Sequence, residues 1–351
     1  MNERLNLIVQ PLLQWYRLNA RDLPWRHTDD PYRIWVSEIM LQQTRVAAVI
    51  GYYERFMEAF PTVQHLAEAP EEKLMKLWEG LGYYSRARNL QKAARTIVEQ
   101  FDGRFPETYT ELLSLSGVGE YTAGAIASSA FGCRVPAVDG NVLRVMSRIL
   151  ENDLDIGDGK TKKQYSEWLT EVLPESADDM RIFNQAMMEL GAVVCVPNGL
   201  PKCEECPVSE YCKAAQNGTA SQLPKKAPKK ARRVEEKTVF VLIREDTVAL
   251  RKRENNGLLA GLWEFPNVEH KLEESSVYEH LGAHGLTVTG WKKQLTAKHI
   301  FTHIEWHMTG YVLDVKGEDN LGLTWVSAEE FSQYAIPSAF AKFTKEVSEI
   351  L

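Results

Sequence analysis

The sequence lacks any apolar run of the roughly 18 to 20 residues that a membrane-spanning helix needs, which excludes a helical membrane protein. The first residues, MNERLNLIVQPLLQWY, carry Glu3 and Arg4 and lack a secretory cleavage pattern, so a reducing cytoplasm is expected. Cysteine is scarce. There are five, an odd count that argues against a disulfide framework. Excess positive charge is missing as well, with 41 Lys and Arg against 48 Asp and Glu and a net charge of −7. Residues 1–220 hold 23 basic and 30 acidic side chains, and the remainder holds 18 of each. A bulk field that draws nucleic acid is therefore absent, and any such contact must rest on local geometry. No repeat appears at solenoid periods, which excludes a stacked-repeat scaffold.

What is present suits an ordinary two-domain globular chain of 351 residues, 44% of them apolar and 25% charged. Residues 1–220 read as helical. DPYRIWVSEIMLQQT offers Asp30 as a cap and Pro31 at the first helical position. APEEKLMKLWEG opens with acids and ends on Gly80, and SRARNLQKAARTIVEQF, YTAGAIASSAF, NVLRVMSRIL, KKQYSEWLTEVL and RIFNQAMMELGAVV keep helical apolar spacing. Residues 221–237 read as a solvated basic linker, with six basic residues among the nine from Lys225 to Arg233. From residue 238 to 351 the pattern is a small mixed α/β domain. TVFVLI and VALRKR flank a hairpin turn, LTVTGWKKQL, HIEWHMTGYVLDV and LTWV are strands, and ESSVYEHLGAHG and AFAKFTKEVSEIL are helices.

Four of the cysteines, Cys195, Cys203, Cys206 and Cys212, fall within eighteen residues as C-x7-C-x2-C-x5-C. In a reducing compartment this density points to metal ligation by thiolates, either to zinc or to a [4Fe–4S] cluster. Zinc fingers usually pair two C-x2-C knuckles, so the single knuckle and uneven spacing favour the cluster. Cys133 stands apart and reads as a small buried apolar residue.

In LLSLSGVGEYTAGAIASSAF, Gly117 and Gly119 permit backbone angles that a Cβ would forbid, between two helices. The N–H groups of Gly117, Val118, Gly119 and the helix start then make a phosphate seat that needs no side-chain charge. This helix-hairpin-helix, the aspartate of PAVDGNVLRV and the four-cysteine loop over 195–212 together resemble the endonuclease III superfamily of DNA glycosylases across most of residues 1–220. The first cysteine interval is seven residues where the family usually has six. The resemblance implies a mainly α helix-hairpin-helix glycosylase domain with a [4Fe–4S] loop, followed by a smaller α/β domain. It also implies a monomer acting on double-stranded DNA.

Within the superfamily, strand-cleaving members carry a lysine at the position of Tyr121, whose amine forms a Schiff base with the sugar. A phenol cannot form an imine, so Tyr121 implies a monofunctional enzyme that leaves an abasic site. SEIMLQQTRV and WEGLGYYSRARNL resemble the branch that excises adenine opposite 8-oxoguanine or guanine and so prevents G:C to T:A mutation. A glycosylase for thymine or a pyrimidine lesion is the alternative. Glu38 shares a helical face with Ile34 and Leu41, where desolvation would let its carboxyl hold a proton near neutrality and donate it. Asp139 fits both a helix cap and a carboxylate for an oxocarbenium-like sugar. By resemblance, Tyr121 and Asn141 flank the reacting sugar, and Trp25, Arg26 and Gln185 shape the adenine pocket. Gln43, Thr44, Leu81 and Tyr83 surround the base left unpaired, with Tyr83 as wedge.

GLLAGLWEFPNVE resembles the MutT (Nudix) fold, but no R-E-x-x-E-E pattern follows. Glu273 and Glu274 are an acid pair without the rest, so a reader domain without pyrophosphatase chemistry is expected. The spacing of His299, His303 and His307 would suit zinc on a helix, yet the segment has strand composition. In the adenine-excising branch the matching loop reads Phe-Ser-His and probes 8-oxoguanine. Here it is Phe301, Thr302 and His303.

Overall fold

The computed structural model describes residues 2–228 and 231–350, so Lys229 and Lys230 of the basic stretch lie outside the described residues. The chain divides into two compact units. The first is Met1–Ala69 with Arg88–Pro228, and the second is Pro70–Ala87 with Lys229–Leu351. Among the described residues no helix is long and apolar enough to cross a membrane.

In chain order the helices begin with α1 (Asn2–Asn19), α2 (Pro31–Leu41), α3 (Val46–Ala59), α4 (Val63–Glu68), α5 (Glu71–Trp78) and α6 (Ser85–Gln100). There follow α7 (Tyr109–Leu113), α8 (Glu120–Phe131), α9 (Gly140–Leu150), α10 (Gly159–Thr170), α11 (Ala177–Val193) and α12 (Lys213–Gln216). Local chemistry sets the boundaries that matter. Asp30 accepts the Tyr32 N–H ahead of Pro31 and starts α2. Gly132, left-handed at φ +69°, ends α8 and turns the chain outward. That turn leaves Cys133 half-buried with its thiol 3.7 Å from the Glu107 carbonyl, not in the core as its residue type suggested.

Helix α8 is the hub of the first unit. Thr122 to Ala130 are all buried, and the small side chains of AGAIASSA let α2 and α11 pack on it closely. At Gly124 a Cβ would stand 2.3 Å from the Pro136 carbonyl oxygen, so no larger residue fits. A further apolar core joins α1, α9, α10 and α11 through Leu12, Met146, Tyr165 and Phe183, and the cysteine loop packs against it.

The second unit is built on a sheet of β1 (Arg233–Arg244), β2 (Thr247–Lys252), β3 (Trp263–Glu264), β4 (Asn267–Val268), β5 (Thr287–Ile300), β6 (Ile304–Lys316) and β7 (Thr324–Ser327). The strand order is β3-β2-β1-β6-β5, with β4 on β1 and β7 on β2. β1 runs parallel to β6, with Phe240 opposite Tyr311, and antiparallel to β2 across a two-residue turn. The unbroken apolar run of β1 follows from burial on both faces. Val239, Val241 and Ile243 meet one core with Phe340 and Phe343, while Phe240 and Leu242 meet the other with Val277 and Leu281. Helices α13 (Glu274–Ala283), α14 (Ala328–Phe331) and α15 (Ala341–Ile350) complete the unit. His299 lies on β5, His303 in the turn and His307 on β6, so helical zinc spacing never forms.

Candidate active site

The packing of α2 and α11 on α8 opens a cleft of about 490 Å³ in the first unit. Glu38, from the last turn of α2, lines it together with Tyr121, Asp139, Asn141, Trp25, Arg26, Gln185, Gln43 and Thr44. The Tyr121 hydroxyl donates to Glu38 Oε2 at 2.6 Å and lies 3.2 Å from Met188 Sδ. Burial pushes the Glu38 carboxyl up to about 7. The Tyr121 hydrogen bond pulls it down, the Asp139 charge adds to the rise, and Arg26 opposes it. Tyr121 itself is raised well above 10, first by burial and then by the charges of Glu38 and Asp139. It is a neutral donor throughout the physiological range.

Asp139 caps α9 with one oxygen. Its Oδ1 accepts the Asn141 and Val142 N–H groups at 2.9 and 2.8 Å, while Oδ2 accepts Asn141 Nδ2 at 2.7 Å. Burial raises this carboxyl, and the same hydrogen bonds hold it back. The cap and the pocket-lining role coexist because the cap fixes where the carboxylate points. Asn141 Oδ1 accepts from Arg144 Nη2 at 2.9 Å, and Arg144 also donates to the carbonyls of Gly191 at 2.6 Å and Cys195 at 2.8 Å. Gly191 is required there, since a Cβ would lie 2.7 Å from Asn141 Cβ.

The opposite wall brings Arg21 and Glu189, which the sequence reading did not name, beside Trp25, Arg26 and Gln185, which it did. Glu189 is 1% exposed and paired with Arg21 and Arg26. Tyr16 donates to Gln185 Oε1 at 2.6 Å, and Gln185 Nε2 donates to Ser129 at 3.0 Å, which fixes the orientation of the amide. Trp25 is buried edge-on against Tyr53. A lone carboxylate in the apolar run MMELGAVV was the available signal for Glu189.

At the hairpin, Gly117 has φ +76° and Val118 is buried, its N–H donating to the Leu115 carbonyl, so that donor is committed within the turn. Gly119 corrects the expectation from its residue type. Its φ of −99° is open to any residue, and what glycine contributes is space, with no heavy atom within 4 Å of a Cβ. It caps α8 without a side-chain hydrogen bond, so the cap itself supplies no side-chain acceptor to the N–H groups of that first turn. Gln43 and Tyr83 are exposed residues with left-handed backbones, at φ 61° and 47°. Leu81 instead is buried. In the second unit, Arg86 donates to the Leu81 and Gly82 carbonyls at 2.9 and 3.0 Å and anchors the loop. Tyr83 Oη lies 2.8 Å from Thr302 Oγ1 at the tip of the β5–β6 hairpin, where Phe301 packs on Trp306 and the His303 carbonyl accepts from Arg233.

Cys195, Cys203, Cys206 and Cys212 are free thiols packed on the first unit's apolar core. Burial pushes Cys206 up to about 12, and the charges of the other three cysteines add to it. Cys203 and Cys212 are raised by burial and by Cys195. Arg148 Nη1 lies 3.2 Å from Cys195 Sγ. Among the described residues no group of three or more His, Cys, Asp or Glu is placed to hold a metal ion.

Residues 36–171 match the HhH-GPD superfamily of base excision DNA repair proteins, and residues 238–346 match a NUDIX domain. The chain is 37% identical to the adenine DNA glycosylase of Homo sapiens over 94% of its own length and 72% of the relative's. It is 38% identical to that of Mus musculus over 94% and 76%. Among solved structures, a thermostable thymine-DNA glycosylase superposes with TM-score 0.55 at 31% identity, covering 62% of this chain and 98% of that one. Endonuclease III in a non-covalent DNA complex shares the fold at TM-score 0.52 and 23% identity, with the same coverage. The thymine enzyme thus matches 62% of this chain, whereas the adenine enzymes match 94% of it. The chain belongs to the adenine DNA glycosylases, base excision repair enzymes that hydrolyse the N-glycosidic bond of adenine in DNA.

Proposed function

We propose that the enzyme removes adenine mispaired with 8-oxoguanine or guanine, and that Glu38 is its general acid. An adenine anion is a poor leaving group. With the base flipped into the cleft, the Glu38 carboxyl protonates N7, and adenine leaves neutral. The sugar gains oxocarbenium character, which the Asp139 carboxylate stabilises electrostatically. Asn141 holds Asp139 Oδ2, Tyr121 orients Glu38, and water adds to the sugar and gives up a proton, which restores the Glu38 acid and leaves an abasic site. No imine forms, because Tyr121 stands where the lyase branch has an amine.

The observation that carries this reading is the hydrogen bond from Tyr121 to Glu38 Oε2 at 2.6 Å, in a cleft that Asp139 also lines. Trp25, Arg26 and Gln185 shape the base pocket. The turn of Gly117, Val118 and Gly119 brings a phosphate to the first turn of α8, with the Val118 N–H spent on holding the turn, while Gln43, Thr44, Leu81 and Tyr83 fill the vacated stack. Phe301, Thr302 and His303 read the opposite base, which licenses removal of an undamaged adenine. The sequence bounds of a glycosylase part over 1–220, a basic linker over 221–237 and a reader over 238–351 are kept with two changes: residues 233–237 belong to β1 of the reader, and Pro70–Ala87 group with it. The enzyme works as a cytoplasmic monomer.

Cys195, Cys203, Cys206 and Cys212 would hold a [4Fe–4S] cluster. What supports this is the donor set, four soft thiolate ligands within one loop that packs on the apolar core of the first unit. Bound there, it ties the loop of residues 195–212 into a rigid phosphate-facing element. Visible absorption that is lost in Cys203→Ser, together with weaker DNA binding, tests this. A duplex panel of A:8-oxoG, A:G, T:G and thymine glycol tests the substrate. Base release from A:8-oxoG should be fastest, and preferential release of thymine would contradict the proposal.

A further inference from the structure

Glu189 has no part in the steps above, yet it lies in the same pocket. It sits on α11, 1% exposed, and accepts four hydrogen bonds. Arg21 Nε and Nη2 donate at 2.7 Å each and the Arg21 backbone N–H at 3.0 Å, while Arg26 Nη2 donates at 2.7 Å. Burial alone would raise this carboxyl, but the two guanidiniums outweigh it and hold it near 2, so it is always ionised.

The clamp therefore carries two positive charges and one negative. Its Arg26 faces the Glu38 carboxyl, where a cation favours the ionised form and so works against an acid. The other groups facing Glu38 are Tyr121 from α8 and Asp139 at the start of α9. Arg21, Glu189 and Lys162 from α10 line the same cleft. Without the Glu189 charge, the wall opposite the acid would hold two uncompensated guanidiniums in a partly desolvated site.

We propose that Glu189 is a positioning residue for the reaction: it fixes Arg21 and Arg26 in the cleft that holds Glu38 and offsets half of their charge there. This deepens the proposal that Glu38 is the acid and rests on it. The clamp also fixes the turn that carries Trp25, so its geometry and its charge serve the same pocket.

The test is single-turnover adenine release from an A:8-oxoG duplex as a function of pH. In Glu189→Gln the descending basic limb moves to lower pH by about half to one unit, so the rate at about pH 8 falls roughly three- to tenfold. Near pH 6 the rate returns towards that of the unaltered enzyme. A fall of equal size at every pH, the mark of a merely structural role, overturns the proposal. Arg21→Gln provides the opposite sign at a partly exposed side chain, since removing one cation moves the basic limb to higher pH. Should Glu189→Gln fail to fold, that variant decides alone, and a limb that stays put or moves to lower pH overturns the proposal. If Glu38→Gln keeps full activity, the acid assignment itself has failed. If it is inactive and the limb does not move, only the role of Glu189 has.

Discussion

The Tyr121 hydroxyl donates to Glu38 Oε2 at 2.6 Å and so joins the first turn of α8 to the last turn of α2. This bond opposes the rise that burial gives Glu38. Tyr121→Phe removes the donor and keeps the ring. The Glu38 carboxyl should then titrate at higher pH, and the basic limb of the rate profile should move upward. A rate profile measured from about pH 6 to 9 checks it, and a limb that moves to lower pH would contradict it.

The same burial gives a stability prediction. Glu38 titrates at about 7 in the folded protein against an ordinary value of 4.5. The stability it contributes is complete below about pH 4.5 and is lost as pH rises through 7, because the folded site resists the charge that the unfolded chain accepts. The loss is on the order of 3 kcal/mol. Glu38→Gln stays neutral and escapes it. Its melting temperature should exceed that of the unaltered protein at pH 8 and match it near pH 5, by calorimetry at both pH values.

Gly191→Ala should slow base release without abolishing DNA binding. Its Cβ would meet Asn141 Cβ at 2.7 Å and Asn141 Cα at 3.2 Å, so the start of α9 must shift and carry Asp139 with it. A displacement of a few tenths of an ångström at a reacting centre should cost roughly tenfold in rate. Single-turnover kinetics beside a binding titration separate the two effects.

Thr302→Val keeps the shape and removes the hydroxyl that meets Tyr83 Oη at 2.8 Å. If this loop reads the opposite base, the variant should lose much of its preference for A:8-oxoG over A:G while adenine release from A:G stays nearly unchanged. Competition between the two duplexes measures that ratio.

Local chemistry made much of this legible. Asp30 and Pro31 marked the start of α2, the apolar run of β1 and its turn marked a hairpin, and four clustered cysteines marked a loop that packs on the core. Helical face singled out Glu38, whereas Tyr121 and the site role of Asp139 were read from the resemblance to the endonuclease III superfamily. Their meeting in one cleft depends on how α2, α8 and α9 pack, and no local pattern encodes that. Glu189 went unnamed because its partners, Arg21 and Arg26, lie more than 160 residues away. The grouping of Pro70–Ala87 with the second unit was invisible for the same reason. Gly119 was misread because a Gly-x-Gly pair suggests two unusual backbones, and only Gly117 has one.

The most direct measurement is the single-turnover release of adenine by Glu38→Gln from an A:8-oxoG duplex, at enzyme concentrations that saturate the DNA. An amide of the same shape cannot donate the acid's proton, so the rate should fall by roughly a hundredfold or more while the duplex is still bound. Adenine release at an undiminished rate would contradict the account.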